Sequence, residues 1–248
     1  MLKKLLKYDL RANLKVFVFI WPAVVLLAVF SRFILRADND SFLFFMFKGS
    51  TLAVFVVAII AAFAISFIFS AIRFYSGLLG REGYLMHTLP VSSWQLVLSK
   101  FISAVVYAGA TLILCLLAIA LQFIGNENFL ETLKNLFSDG ITSAATVAIA
   151  AMSVCASILQ FYCAASLGHL FRKKRLLWTI LFWYGLSIAT RVIQMIFFAS
   201  ESFFVTFIGS FDALVDVTLL VTLAVQIALC VGYFFAAERI LSRRLNLE

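Results

Sequence analysis

The chain has little of what a water-soluble domain needs at its surface. Charged residues fill 13% of its 248 positions against 64% for hydrophobic ones, and the mean hydropathy is +1.08. Soluble domains carry about a quarter charged residues, so most of this chain has no surface to show water. Proline occurs only as Pro22 and Pro90 and glycine 11 times, which excludes collagen-like and disordered readings. Histidine occurs only as His87 and His169, in separate polar connections. No H-E-x-x-H, no G-x-S-x-G and no pair of carboxylates within an apolar run is present, so convergent groups for enzyme chemistry are missing. His87 reads as a hydrogen-bonding loop residue and His169 as part of a basic boundary. The cysteines, Cys115, Cys155, Cys163 and Cys230, lie in apolar runs without a CxxC pair and read as small hydrophobes rather than metal ligands or disulfides. No G-x-x-x-x-G-K-[ST] occurs, so the sequence holds no Walker A loop for ATP phosphates.

What is present is a series of long apolar runs, rich in the 28 phenylalanines. Charge cuts them into six: Phe17 to Leu35, Gly49 to Ile72, Phe101 to Ile124, Ile141 to Gly168, Leu176 to Ser200 and Ala213 to Ala237. Their lengths of 19 to 28 residues suit helices, which need about 20 residues at 1.5 Å each to cross hydrocarbon. Membrane strands are about 10 residues long and alternate in polarity, whereas IIAAFAISFIF and LILCLLAIAL are continuously apolar. The predicted fold class is an all-α membrane protein with six transmembrane helices, a single domain over 1–248. The fourth run is rich in Ala and Ser, which suits a helix packed closely against others.

The basic residues set the orientation. Fifteen of the 20 fall in the first segment (Lys3, Lys4, Lys7, Arg11, Lys15), the second connection (Arg73, Arg81, Lys100), the fourth (Arg172, Lys173, Lys174, Arg175) and the tail (Arg239, Arg243, Arg244). The intervening connections hold Arg32, Arg36, Lys48 and Lys134 with most of the acids, among them Asp38, Asp40, Glu127, Glu131, Asp139, Glu201 and Asp212. By the positive-inside rule the basic side, with both termini, is cytoplasmic. The net charge of +8 is divided among short juxtamembrane pieces rather than gathered on one face, so it is no nucleic-acid signal. Trp21, Trp94, Trp178 and Trp183 read as headgroup-level anchors.

No small-x-small cleavage site follows the first apolar run, so it reads as a span rather than a cleaved signal. Ahead of it Leu2, Leu6, Leu10 and Leu14 recur every four residues beside Lys3, Lys7, Arg11 and Lys15. That pattern predicts an amphipathic interfacial helix over 1–16 that precedes the turn into the membrane. The connection from Arg73 to Lys100 has 28 residues, more than a helix-helix turn needs. Gly77, Gly80 and Gly83 break its start, Pro90 holds Leu89 away from helical geometry, and Ser92 with Gln95 forms a capping box for the next helix. A short helix or turn over Leu78 to Met86 is expected there, presenting Arg81 and Glu82 to the cytoplasm. The alternative is that these are ordinary solvated loop charges.

The run FYSGLLGREGYLMHTLPVSSWQLVLSK, two spans before it and four after, resembles the small six-span permeases of the ABC-2 type found mostly in Gram-positive bacteria. The opening YDLRANLKVF and the tail ILSRRLNLE are similar to that group's ends, and the phrase from Glu82 to Pro90 is the most specific part. The resemblance implies a multi-pass protein of the bacterial cytoplasmic membrane, the permease subunit of an exporter for a peptide, lipid or other amphipathic substrate. It implies two separate ATPase subunits, holding ATP and Mg²⁺, and a second permease chain, identical or homologous. It makes Gly80, Arg81, Glu82, Gly83 and Tyr84 the contact with the ATPase, with Glu82 as its charged member, and residues 1–16 the family's interfacial helix. A non-transporting membrane anchor, sensor or immunity protein remains open as the alternative.

Within the runs the polar residues that stand out are Gln160, Arg191, Gln194, Asp216 and Gln226. Each is costly in hydrocarbon unless it is paired or faces protein. Arg191 is expected to pair with Asp216 or Asp212, or to line an exit path for an anionic or amphipathic substrate. No polar stripe for a small-ion channel is visible.

The charge asymmetry makes a topological prediction. A cysteine introduced at Asn128 reacts with an impermeant thiol reagent outside intact cells and one at Ser92 does not; the reverse labelling would overturn the orientation.

Overall fold

The structure, a computed structural model, describes residues 2–37, 41–80, 93–123, 140–171, 173–208 and 211–244, with 2, 4, 140–142, 201–208, 211–217 and 243–244 by their backbone only. All regular structure among these residues is helical: α1 Leu2–Arg36, α2 Phe42–Phe74, a π-helical turn Tyr75–Leu79, α3 Ser93–Phe123, α4 Gly140–Gly168, α5 Arg175–Ile208 and α6 Phe211–Arg244. Six of these helices are long and apolar enough to cross a membrane. With 29 to 35 residues each, they exceed the roughly 20 that the hydrocarbon requires.

The helices run further than the apolar stretches because Lys, Arg and Leu are good helix formers and charge marks where lipid ends, not where a helix does. The expected separation of residues 1–16 from a first span does not show as a break, since α1 is continuous from Leu2 to Arg36. Pro22, which removes one backbone donor, is accommodated inside it. The expected break at Gly77 is also absent: the chain stays helical to Leu79 and leaves the helix at Gly80.

The residues fall into two compact units, Met1–Ser70 with Ile102–Leu133, and Ala71–Phe101 with Lys134–Glu248. In the first, Val24 and Ala28 of α1, Phe55 and Ala62 of α2, and Cys115 and Ala118 of α3 form a buried cluster. Alanine at these crossings lets backbones approach, which matters where lipid tails are as apolar as the side chains and hydrophobic transfer drives nothing. Phe17 is buried with its ring on Tyr107, centroids 4.6 Å apart, and meets Phe69 edge to face. Trp21 is more than a headgroup anchor, because its Nε1 donates to the Thr111 hydroxyl at 3.2 Å. In the first turns of α1, Lys3, Lys7, Arg11 and Lys15 are all exposed, as the basic stripe predicts, but the buried side chains are Asp9, Asn13 and Phe17, and Leu14 is exposed.

In the second unit α4 is the hub, packing most extensively on α6 and next on α5. Its most apolar stretch is 39% buried, against 6% for α5, in keeping with its Ala- and Ser-rich composition. Buried Ala156, Ala164, Ala165 and Ser166 supply the close contacts, and Cys163 is buried as a free thiol. The end of α4 meets the start of α5 at one very tight point. A Cβ on Gly168 would lie 2.3 Å from Thr179 Oγ1 and 2.6 Å from its backbone nitrogen, distances no real side chain shows. Lys174, in the left-handed region at φ 55°, then leads the chain into α5.

Because the obstruction at Gly168 is backbone, shortening Thr179 would not relieve it. Gly168→Ala should cost about 1–3 kcal/mol as an overpacked site, read as a lower thermal unfolding midpoint in detergent. Gly185→Ala, on the same helix pair with open space around it, should leave the midpoint unchanged.

Candidate functional site

The connection whose sequence drew attention is anchored at both ends in the second unit. Its incoming end is the π-helical turn Tyr75–Leu79, in which Gly77, Leu78 and Leu79 are buried. Single π turns at helix ends recur at functional sites, since the extra residue per turn changes the direction in which the chain leaves. Gly80 closes the turn at φ −92°, ψ −163°, and a Cβ there would lie 2.9 Å from the Ser76 carbonyl oxygen. Glycine is required by that close approach. The outgoing end is the start of α3, where Leu96, Val97, Ser99 and Lys100 are buried.

Two helix ends hold these pieces. Phe74 stacks flat on Tyr162 of α4, centroids 3.9 Å apart and planes 9° apart, and both rings are fully buried. The Tyr162 hydroxyl donates to the Lys100 carbonyl at 3.4 Å, so one tyrosine touches both ends of the connection. The Lys100 side chain lies over the π turn: a Cβ on Gly77 would be 3.2 Å from its Cε and Nζ. At the far side of the turn His169, 8% exposed, hydrogen-bonds the Leu79 backbone and stands 6.1 Å from the Tyr75 ring. Its Nε2 lies 3.3 Å from Arg175 Nη1. A guanidinium only donates, so Nε2 accepts and the neutral ring's other nitrogen is left to donate to the Leu79 carbonyl. Burial lowers the pKa of His169 below the ordinary imidazole value, the Arg175 charge lowers it further, and the Leu79 carbonyl opposes both.

The described residues on either side of 81–92 thus belong to one packed block with the ends of α4 and α5. Arg81, Glu82, Gly83 and Tyr84, expected to contact an ATPase, lie outside the described residues, as do Pro90 and the expected Ser92 cap; Gly80 is described and half-buried. Gln160 is buried and ties α4 to α5, its Nε2 donating to the Ser187 hydroxyl at 2.7 Å. Gln226 is buried on α6, Gln194 is half-buried and Arg191 is exposed on α5. The side chains of Asp212 and Asp216 are outside those described, so the pairing with Arg191 is as well.

Sequence reasoning passed over most of the clamp. Tyr162, Phe74 and Lys100 carried no motif, and His169 read as boundary rather than as a joint. Gln122 was also missed as an in-span polar group; it donates to the Ala28 carbonyl at 2.8 Å and the Ser31 hydroxyl at 2.6 Å within the first unit. A polar residue inside an apolar run was the available signal.

The His169 joint predicts a pH dependence. Its folded-state pKa is depressed, so the stability held by the neutral ring is complete above the unfolded value near 6.5 and is lost as pH falls through the lower folded value. The thermal midpoint of the parent should fall between pH 7.5 and 5.5 by more than that of His169→Gln, whose amide accepts and donates at the same two places without titrating. Equal falls would remove His169 from the joint.

No family model matches the chain, and neither a curated protein nor a solved structure shows significant similarity to it. Its sequence and structure together establish a multi-span, membrane-type helical protein of a fold compatible with transport.

Proposed function

We propose that the chain is the permease subunit of an ATP-driven exporter in the bacterial cytoplasmic membrane. The observation that carries this reading is the clamped root of the 81–92 connection. A loop that merely joins two spans needs no buried π turn, no tyrosine bridging its ends and no histidine joint, whereas an element that receives force does. With no Walker A loop in the sequence, the force has to come from another chain. In this reading Gly80, Arg81, Glu82, Gly83 and Tyr84 form the turn received by a separate ATPase, which holds ATP and Mg²⁺. Two such ATPases pair with two permease chains. The first turns of α1 lie at the inner interface with Lys3, Lys7, Arg11 and Lys15 toward the headgroups, and both termini are cytoplasmic. The substrate class in this reading is a peptide, lipid or other amphipathic molecule. The clamp is the feature that favours this over a passive anchor or sensor.

Glu82→Lys tests the reading because it reverses a charge outside the hydrocarbon. Buried at a contact, that reversal leaves the partner's group unpaired at a cost of about 2–5 kcal/mol. The ATPase should then copurify poorly, or hydrolyse ATP without moving cargo, while membrane insertion is unchanged. Asp38→Lys makes the same change of charge in a connection assigned to the opposite side and should behave as the parent. Equal ATPase recovery and export for both variants and the parent would remove this segment from the mechanism. A parent that binds no ATPase would remove the exporter reading itself.

A further inference from the structure

A groove of about 540 Å³ runs along the outer face of α5, lined by Lys174, Leu177, Trp178, Ile180, Leu181 and Tyr184. Apart from Lys174, the Trp178 indole nitrogen and the Tyr184 hydroxyl its walls are apolar, and Leu177, Ile180, Leu181 and Tyr184 are each about 60% exposed. The wall at Trp178 is held by a stack on Phe171, centroids 4.3 Å apart and planes 13° apart. From Lys174 to Tyr184 the groove climbs about 15 Å of helix, half of the roughly 30 Å hydrocarbon core and so the depth of one leaflet.

Its charge is confined to one end. Lys173 and Lys174 are exposed there, in a run of basic residues from Arg172 to Arg175, while Arg175 is engaged by His169. Among the described side chains of this unit the one acid is Glu238, on α6. We propose that this groove is a binding site for an anionic phospholipid, with an acyl chain along Leu177, Ile180, Leu181 and Tyr184 and the headgroup phosphate on Lys173 and Lys174. A site one leaflet deep, apolar along its length and cationic at its mouth, has the dimensions and polarity of that molecule. A second copy of this chain fits less well, because a two-fold contact here would bring two basic runs to the same level and set like charges together. The site depends on α5 being a span and not on the exporter reading, so it stands if that reading fails.

The test uses the full chain in detergent, with native mass spectrometry and two probes of identical acyl chains, phosphatidylglycerol and phosphatidylcholine. The parent should retain phosphatidylglycerol on the order of tenfold more strongly, the effect of two lysines near a phosphate. Lys173→Gln with Lys174→Gln should abolish that preference without lowering the thermal midpoint, since both side chains are exposed. Leu181→Trp, which fills the groove, should reduce retention of both lipids. Lys15→Gln, an exposed basic residue on α1, should change neither. Equal retention of the two lipids by the parent would overturn the site, and so would a preference that survives the double substitution. A Leu181→Trp variant that dissociates a dimer and leaves lipid retention intact would give the groove to a second copy instead.

Discussion

Hydrocarbon offers no hydrogen-bond partner, and that single constraint accounts for most of what this chain does with its polar groups. The backbone answers it by being helical wherever an apolar run continues. Side chains answer it at helix crossings. Gln160 reaches Ser187 between α4 and α5, Thr190 meets the Tyr233 hydroxyl between α5 and α6, and Trp21 reaches Thr111 between α1 and α3. Other hydroxyls fold back on their own helix even at close helix contacts, as Ser166 does to the Tyr162 carbonyl and Thr179 to that of Arg175. With hydrophobic transfer nearly neutral between lipid and protein, these bonds and the alanine contacts are what choose one helix arrangement over another.

The same economy explains why the clamp around Tyr75–Leu79 lies just past the apolar stretches. Lys100, His169 and Arg175 bring cationic or titratable groups into a small volume, tolerable because it lies at the helix ends rather than in mid-span. Each is used by its neighbours: the Lys100 carbonyl by Tyr162, the imidazole by both Leu79 and Arg175. Phe74 stacks on Tyr162, whose buried hydroxyl is satisfied by the Lys100 carbonyl. The result is a closely packed root for the connection, held by one ring stack and the bonds of Tyr162 and His169.

The helical class was legible in the sequence because it rests on length and continuity alone: a run such as Gly49 to Ile72 has one physical solution in lipid. The clamp was not, because its parts have no common motif and come from three places, residues 74–80, 96–100 and 162–175, that only the packing unites. Gly168 shows the limit most clearly. Nothing in the sequence distinguishes it from Gly185, yet one faces Thr179 at an impossible distance for any side chain and the other faces open space. The burial of Asp9 and Asn13 in the first turns of α1 was not legible for a related reason: they lie beside the leucine periodicity, and polar burial is invisible to a hydrophobic count.

Arg191 sets the reach of the α5 face. Leu177, Leu181, Tyr184, Ile188, Arg191 and Met195 follow one another at alternating intervals of four and three, so they form one stripe along the helix. All six are exposed. Below Ile188 the stripe is purely apolar up to its tyrosine hydroxyl and is content with acyl chains. At Arg191 the same stripe carries a guanidinium, which at the centre of a bilayer costs about 2.5–3.5 kcal/mol against lipid. A face uniform in exposure is therefore interrupted in what it tolerates: hydrocarbon suits the turns nearest the basic end, Arg191 itself calls for a polar neighbour or water, and Met195 beyond it is again apolar. The apolar groove ends at Tyr184, two turns short of Arg191, so its walls lie wholly on the turns before that charge.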